Sequence, residues 1–306
     1  MPRPRISLGT WAFIRGPYAD DPWSLERVLD LAAEAGYEGV EISGYRPHAH
    51  YDDYDTPEKR QALRDMIESR GLLASGYAPD LRHVPAATTD TETYMAEIQK
   101  CFDMCTGIRT DVLRVDTGVP PQELDAKEYA ALFKQIAENW FSVAEAGKSI
   151  GVAPHWEFEP RFLVNKPSEI GRLMEAIPTD NLRLIFDLSH AYMVAVEGAR
   201  QPGIVQTEKY GIVGLGRSLE DRIGHLHVAD SDGSLYGEGE SSKHVALGHG
   251  RIDLETELYY MRHHIMTLSW WTMDFNHSPD PETAAREAVP IILGYMEQFD
   301  LDKRLA

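Results

Sequence analysis

The chain reads as an α/β protein with one domain, a closed (β/α)8 or TIM barrel across residues 1–306, and three observations predict it. Short apolar runs alternate with amphipathic helical stretches from end to end, a pattern that favours a parallel sheet. The alternation counts to eight units, which favours closure over an open doubly wound sheet. At 43% hydrophobic content the chain can fill one large core, and no low-complexity linker divides it.

Residues 6–13 read as the first strand, and residues 23–35 as an amphipathic helix stopped by Gly36. Residues 39–43 form a short strand before a helix at 57–70, with Pro57 in its first turn and Gly71 just past its last. A strand at 72–78 precedes a helix at 91–105, and a strand at 112–116 precedes a helix at 126–150 that Gly151 ends. The second half repeats the scheme. Strand 152–159 leads to helix 167–176, strand 182–187 to a less regular helical region within 191–221, strand 223–229 to helix 254–264, and strand 268–275 to helix 281–299. Two long connections, 44–56 and 231–250, follow strands and so fall on the face where a barrel builds its site. Gly9-Thr10-Trp11-Ala12-Phe13 lacks the spacing of a dinucleotide-binding fingerprint.

With 49 acidic against 30 basic residues the formal net charge is -19, which repels phosphate backbones and anionic membranes. Nucleic acid is not expected as a partner. No stretch approaches the length of a membrane span, and the opening Met-Pro-Arg-Pro-Arg leads into mixed sequence rather than a signal-type apolar segment, so the expectation is a cytoplasmic protein. Cys101 and Cys105 fall on one helical face as free, packed thiols.

Four apolar runs in the later half each end in a metal-capable side chain: His155-Trp156-Glu157-Phe158-Glu159, Leu184-Ile185-Phe186-Asp187, Ile223-Gly224-His225-Leu226-His227 and Trp271-Thr272-Met273-Asp274. Strand alternation sends His155, Glu157 and Glu159 into the barrel and Trp156 and Phe158 toward the helices. The inward side chains rise by about 6.6 Å per pair, which puts Glu159 nearest the open end. His225 and His227 point inward together, as do Thr272 and Asp274. Carboxylates and an imidazole converging from four strands would hold one divalent cation and leave positions open for an oxygen-rich substrate. Trp11 is a candidate substrate wall, and Asp116 and Glu41 end earlier strands as substrate-binding or structural carboxylates. Lys243, His244 and His249 lie in a long loop on the same face.

In these motifs the chain resembles the xylose-isomerase-like barrels, a family of sugar isomerases and epimerases that also contains dehydratases and a DNA-repair endonuclease branch. Glu159-Pro160 with Phe162-Leu163-Val164-Asn165 and Pro167 looks like the family's strand-five motif; Asp187-Leu188-Ser189-His190 and His225-Leu226-His227-Val228-Ala229-Asp230 are similar to the elements after it, and Leu247-Gly248-His249-Gly250-Arg251-Ile252-Asp253 resembles a glycine-flanked segment. The resemblance implies that Glu159, Asp187 and His227 bind a metal, with Asp274 as the fourth ligand by its position, and that Glu159 moves a proton, with His190 or His155 as an alternate acid or base. By position on the same face, Trp11, Glu157, Asp116 and His249 are the candidate substrate contacts. Manganese suits such a site best, with magnesium, cobalt and zinc as alternatives. The family usually ends its eighth strand in Glu, and Asp274 is one methylene shorter.

The expected activity is a metal-dependent isomerase or epimerase of a keto sugar or related polyol, acting through an enediolate. The alternative is a metal-dependent lyase, a dehydratase or C-glycoside-cleaving enzyme, that eliminates from a 3-keto sugar or inosose. The negative charge argues against the endonuclease. A barrel that binds a sugar without turnover, and assembly as a homo-oligomer or with a partner subunit, stay open.

Overall fold

The computed structural model describes residues 3–305, and the side chains of residues 3–300. The strands are β1 (Arg5–Gly9), β2 (Gly39–Gly44), β3 (Leu73–Pro79), β4 (Val112–Val115), β5 (Ala153–Glu157), β6 (Arg183–Asp187), β7 (Ile223–Val228), β8 (Asp230–Leu235), β9 (Ser242–Val245) and β10 (Trp270–Met273). The helices are α1 (Leu25–Ala35), α2 (Pro57–Glu68), α3 (Thr91–Ile108), α4 (Ala126–Lys148), α5 (Pro167–Ala176), α6 (Leu188–Ala195), α7 (Gly211–Ser218), α8 (Leu254–Ile265) and α9 (Pro281–Leu305). The parallel barrel closes in the order β1-β10-β7-β6-β5-β4-β3-β2, and β8 and β9 form a separate antiparallel pair. No helix among the described residues is long and apolar enough to cross a membrane.

Local chemistry explains the helix starts. The side chains of Ser24, Thr56, Asp90 and Asp125 accept backbone N–H groups of α1 to α4, and Asp125 with Glu128 completes a reciprocal capping box. The outward strand faces make the core: Trp156 packs on Trp140 of α4 with ring centroids 5.2 Å apart, and the Trp271 indole donates to Ile265 O at 2.9 Å. Cys101 and Cys105 are buried, free thiols on α3.

Three elements differ from the sequence expectation. The first strand stops at Gly9, and residues 10–13 coil into a 3-10 turn carrying Trp11. β5 ends at Glu157, two residues early. The connection after β7 holds the β8–β9 hairpin, whose largely polar strands carry no hydrophobic periodicity to announce them. Asp230 fastens the base of that hairpin, accepting the N–H groups of Ser231, Gly248, Gly250 and Ile252 at 2.8, 2.9, 2.8 and 3.2 Å. A Cβ on Gly250 would lie 2.1 Å from Asp230 Oδ1, so this close approach requires glycine.

The fold also makes stability depend on pH away from the site. His48 is buried behind Trp23, and burial pushes its pKa from 6.5 to about 4. The unfolded chain therefore binds the proton more readily, and stability falls as pH drops from 6.5 toward 4. Urea unfolding across that window is expected to show this acid loss, and His48→Gln to flatten it; an unchanged slope in the variant would remove His48 as the cause.

Candidate active site

The closing order of the barrel sets the C-terminal ends of β5, β6, β7 and β10 side by side. There Glu157, Asp187, His227 and Asp274 each offer one donor atom, and the four atoms lie within 4.8 Å of one another. All four residues are buried. Asp187 Oδ2 has no hydrogen-bond partner, and Glu157 Oε1 and His227 Nδ1 have only each other, although none of the three reaches solvent. His227 Nδ1 stands 2.9 Å from Glu157 Oε1, 3.9 Å from Asp187 Oδ2 and 3.9 Å from Asp274 Oδ2. A buried polar atom left unpaired costs roughly 1–3 kcal/mol. Donor atoms gathered on one point fit a cation: a carboxylate-rich set with one imidazole suits a divalent ion.

The remaining atoms of these residues are held in place. Asp187 Oδ1 accepts the N–H of His190 at 2.7 Å, as the N-cap of α6. Asp274 Oδ1 accepts the Trp11 indole at 2.8 Å and the Asn276 N–H at 2.7 Å. His227 Nε2 faces Glu41 Oε2 at 3.0 Å, a contact that fixes the ring with Nδ1 toward the other three side chains. Glu41, from β2, also meets His225 Nε2 at 3.0 Å and accepts from Thr272 at 3.2 Å. Burial opposes the Glu41 charge, but His227 and His225 hold its pKa well below the carboxylate range. Burial likewise opposes a charged His227, and Glu41 and Glu157 outweigh it and raise its pKa.

Above this group, Arg114 of β4 bridges three carboxylates. It donates to Glu157, to Glu159 Oε1 at 2.5 Å and to Asp116 Oδ2 at 3.0 Å. Burial raises the Glu157 pKa, yet Arg114 and His227 bring it well below the usual value; for Asp116 burial wins and the pKa rises. His190 Nε2 lies 3.8 Å from Glu157 Oε1 and 3.9 Å from Glu159 Oε2, and its Nδ1 is paired with the Ser242 hydroxyl. His244 Nδ1 sits 3.2 Å from Asp274 Oδ1; despite burial, Asp274 and Asp187 raise its pKa to about 9. A cavity of about 490 Å³ opens over these side chains, with Trp11, Arg114, Asp116, Glu157, Glu159, His190 and Asp274 in its walls.

The structure brings Asp187, His227 and Asp274 together, but the fourth member is Glu157, expected at the substrate, in place of Glu159. Because β5 stops at Glu157, the barrel rim lies one inward step lower than the sequence suggests. Glu159 is instead grouped with Glu157 and His190. His155 is corrected more strongly. Its Nδ1 faces Ala153 O at 3.0 Å, and it lines a separate cavity of about 500 Å³ with Asp111, Lys148, Asp180 and Asn181 at the N-terminal ends of the strands. Burial there pushes its pKa to about 3. His249 is exposed beyond the hairpin, and His244 reaches the site from the same connection. Glu41 lies beneath the group against histidines, away from the cavity wall. Sequence reasoning passed over Arg114, whose signal is a guanidinium within the apolar run Val112-Leu113-Arg114-Val115, and Ser242, which has no local signal.

A family model described as xylose isomerase-like TIM barrel matches residues 29–293. Fructoselysine 3-epimerase of Escherichia coli O157:H7 is 22% identical over 244 residues, covering 75% of this chain and 78% of that protein. Among solved structures, an L-ribulose 3-epimerase superposes with a TM-score of 0.71 at 18% identity, covering 99% of this chain and 97% of the other. A probable 3-DHS dehydratase from Bacillus anthracis superposes with a TM-score of 0.69 at 16% identity, covering 94% and 98%.

Proposed function

Since the chain belongs to the xylose isomerase-like TIM-barrel family, we propose that it is a divalent-metal-dependent isomerase or epimerase of a small keto sugar or related polyol, working in the cytoplasm. The observation that carries this reading is the convergence of the buried Glu157, Asp187, His227 and Asp274 side chains, one donor atom each within 4.8 Å, at the floor of a polar cavity. The fructoselysine 3-epimerase relative supports the carbohydrate chemistry. Glu157, Asp187, His227 and Asp274 would hold the cation, manganese by preference, which when bound polarises a carbonyl and its neighbouring hydroxyl.

The chain's own groups then handle the proton. Glu159 is oriented by Arg114 through one oxygen and presents the other to His190 at 3.9 Å, so Glu159 takes a proton from the carbon beside the carbonyl and His190 exchanges protons with the substrate oxygen. Arg114 holds the Glu157 and Glu159 carboxylates in place, and the Ser242 contact fixes the His190 ring.

Asp274 favours a second reading, a β-eliminating lyase. Its Oδ1 is already engaged by Trp11, Asn276 and His244, and its side chain is too short to serve as a matched second base. Elimination needs one base and one acid, roles that Glu159 and His190 fill.

Proton NMR in deuterated water, with manganese present and a panel of ketoses, inososes and 3-keto glycosides, tests both. Deuterium entering beside the carbonyl without loss of a group is the expected result. Release of water or aglycone would reassign the enzyme as the lyase, and absence of exchange across the panel would count against enolisation.

A further inference from the structure

The active-site cavity carries opposite charge at its two ends. Asp116, Glu157, Glu159 and Asp274 lie at the floor with Arg114, whereas Arg15, Arg46, Arg82 and Arg161 stand around the mouth. Three of these guanidiniums are offset by carboxylates, so the mouth carries one net positive charge, on Arg15, in a chain whose net charge is -19. Arg46 is paired with Asp53 at 2.7 Å, Arg82 with Asp80 at 2.6 Å and Arg161 with Glu240 at 2.9 Å. Arg15 has no carboxylate partner among the described residues; its guanidinium lies 4.4 Å from the centre of the Tyr45 ring.

Two buried side chains in the same cavity have unfilled polar atoms. Both ring nitrogens of His277 and Oδ1 of Asn276 lack partners, and the residues are only 7% and 8% exposed. Burial and the nearby Arg15 charge push the His277 pKa to about 4, so near neutral pH its ring offers one N–H and one lone pair. His277 is held at φ 61°, a left-handed backbone that disfavours any residue with a Cβ, and its ring is stacked 3.9 Å from that of Tyr236. The cavity of about 490 Å³ leaves room beyond one sugar ring.

We propose that the substrate carries a carboxylate at the end remote from its reacting carbonyl, and that Arg15, with His277, forms the subsite that receives it. The proposal rests on the enolisation reading for which end of the substrate enters first. An unclaimed guanidinium can donate to both carboxylate oxygens side by side, and the His277 N–H adds a third donor. Arg15 draws the anion in, while the acidic floor repels it, so the substrate enters in one orientation.

Isothermal titration with manganese present tests this with D-fructuronate against D-fructose and D-tagaturonate against D-tagatose, in the wild type, Arg15→Gln and Arg15→Lys. Each acid is expected to bind about tenfold more tightly than its neutral partner. The preference should shrink with added salt, disappear in Arg15→Gln and return in part in Arg15→Lys. Equal binding of acid and neutral sugar by the wild type, or a preference that survives Arg15→Gln, overturns the subsite. Tighter, Arg15-dependent binding of fructose 6-phosphate, or a stronger preference for a neutral phenyl glycoside, overturns the carboxylate assignment. Deuterium exchange in the same samples separates the two layers. Arg15-dependent binding of the uronates without exchange removes the enolisation and keeps the subsite; neutral ketoses exchanging as fast as the uronates, without an affinity difference, does the reverse.

Discussion

Glu157→Gln is expected to lose both the bound cation and turnover, whereas Glu159→Gln keeps the cation and loses turnover. Removing a residue that merely orients a ligand lowers metal affinity 10–100-fold, so loss of the Glu157 charge should lower it by more than about 100-fold. Without Glu159 the chain loses its proposed base, a role worth roughly 100- to 10,000-fold in rate, while the four ligands remain. Both variants should fold, because Arg114 keeps two of its three carboxylate partners in each. Metal content after dialysis, and the shift of the melting temperature on adding manganese, report the first property; at 100 times Kd that shift reflects about 2.7 kcal/mol. The reverse pattern, with metal lost only in Glu159→Gln, would restore the ligand that the strand-five motif suggests.

Glu41→Ala is expected to be the most destabilising change in the barrel interior. Its carboxylate is fully buried between His225 and His227, and removing it strands His227 Nε2 and leaves His225 Nε2 only the Thr272 hydroxyl, at 2.7 Å. Breaking a buried ionic contact on one side costs about 3–5 kcal/mol. The His227 ring would also lose the partner that holds its orientation, so metal affinity should fall about 10–100-fold. Glu41→Gln keeps the volume and one acceptor and should fall between wild type and Glu41→Ala. Denaturant unfolding of the metal-free protein, followed by metal titration, measures the two effects separately; a metal-free stability within about 1 kcal/mol of wild type would mean that the buried cluster contributes little.

The alternation of strands and helices is legible in the chain because each strand buries a run of apolar residues and each helix an apolar stripe. The faces of β5 are legible too: Trp156 packs outward on Trp140, while Glu157 faces inward to His227. Height is not. A period of two tells which side chains share a face, but not where along the strand the rim of the barrel falls, so Glu157 and Glu159 exchange places while His155 drops to the opposite end. The partners of the ligands are also hidden. Glu41 lies 186 residues from His227 in sequence and meets it only because closure brings β2 and β7 to one axis. Ser242 and His244 reach the site on a hairpin built from turn chemistry, with no periodic signal.

That hairpin spans the site from floor to roof. Its inner residues, Ser242 and His244, hold His190 and Asp274, and its tip places Tyr236 on His277 and Glu240 against Arg161 and Arg200. Lifting the tip enough to admit a ligand from that side would pull on the same two strands that contact His190 and Asp274. Entry and readiness would thus oppose each other, because the contacts to His190 and Asp274 are made with the hairpin in this position. A substrate that reaches from the metal to the mouth would help clamp that roof shut, and a fragment lacking its far end would leave the machinery slack.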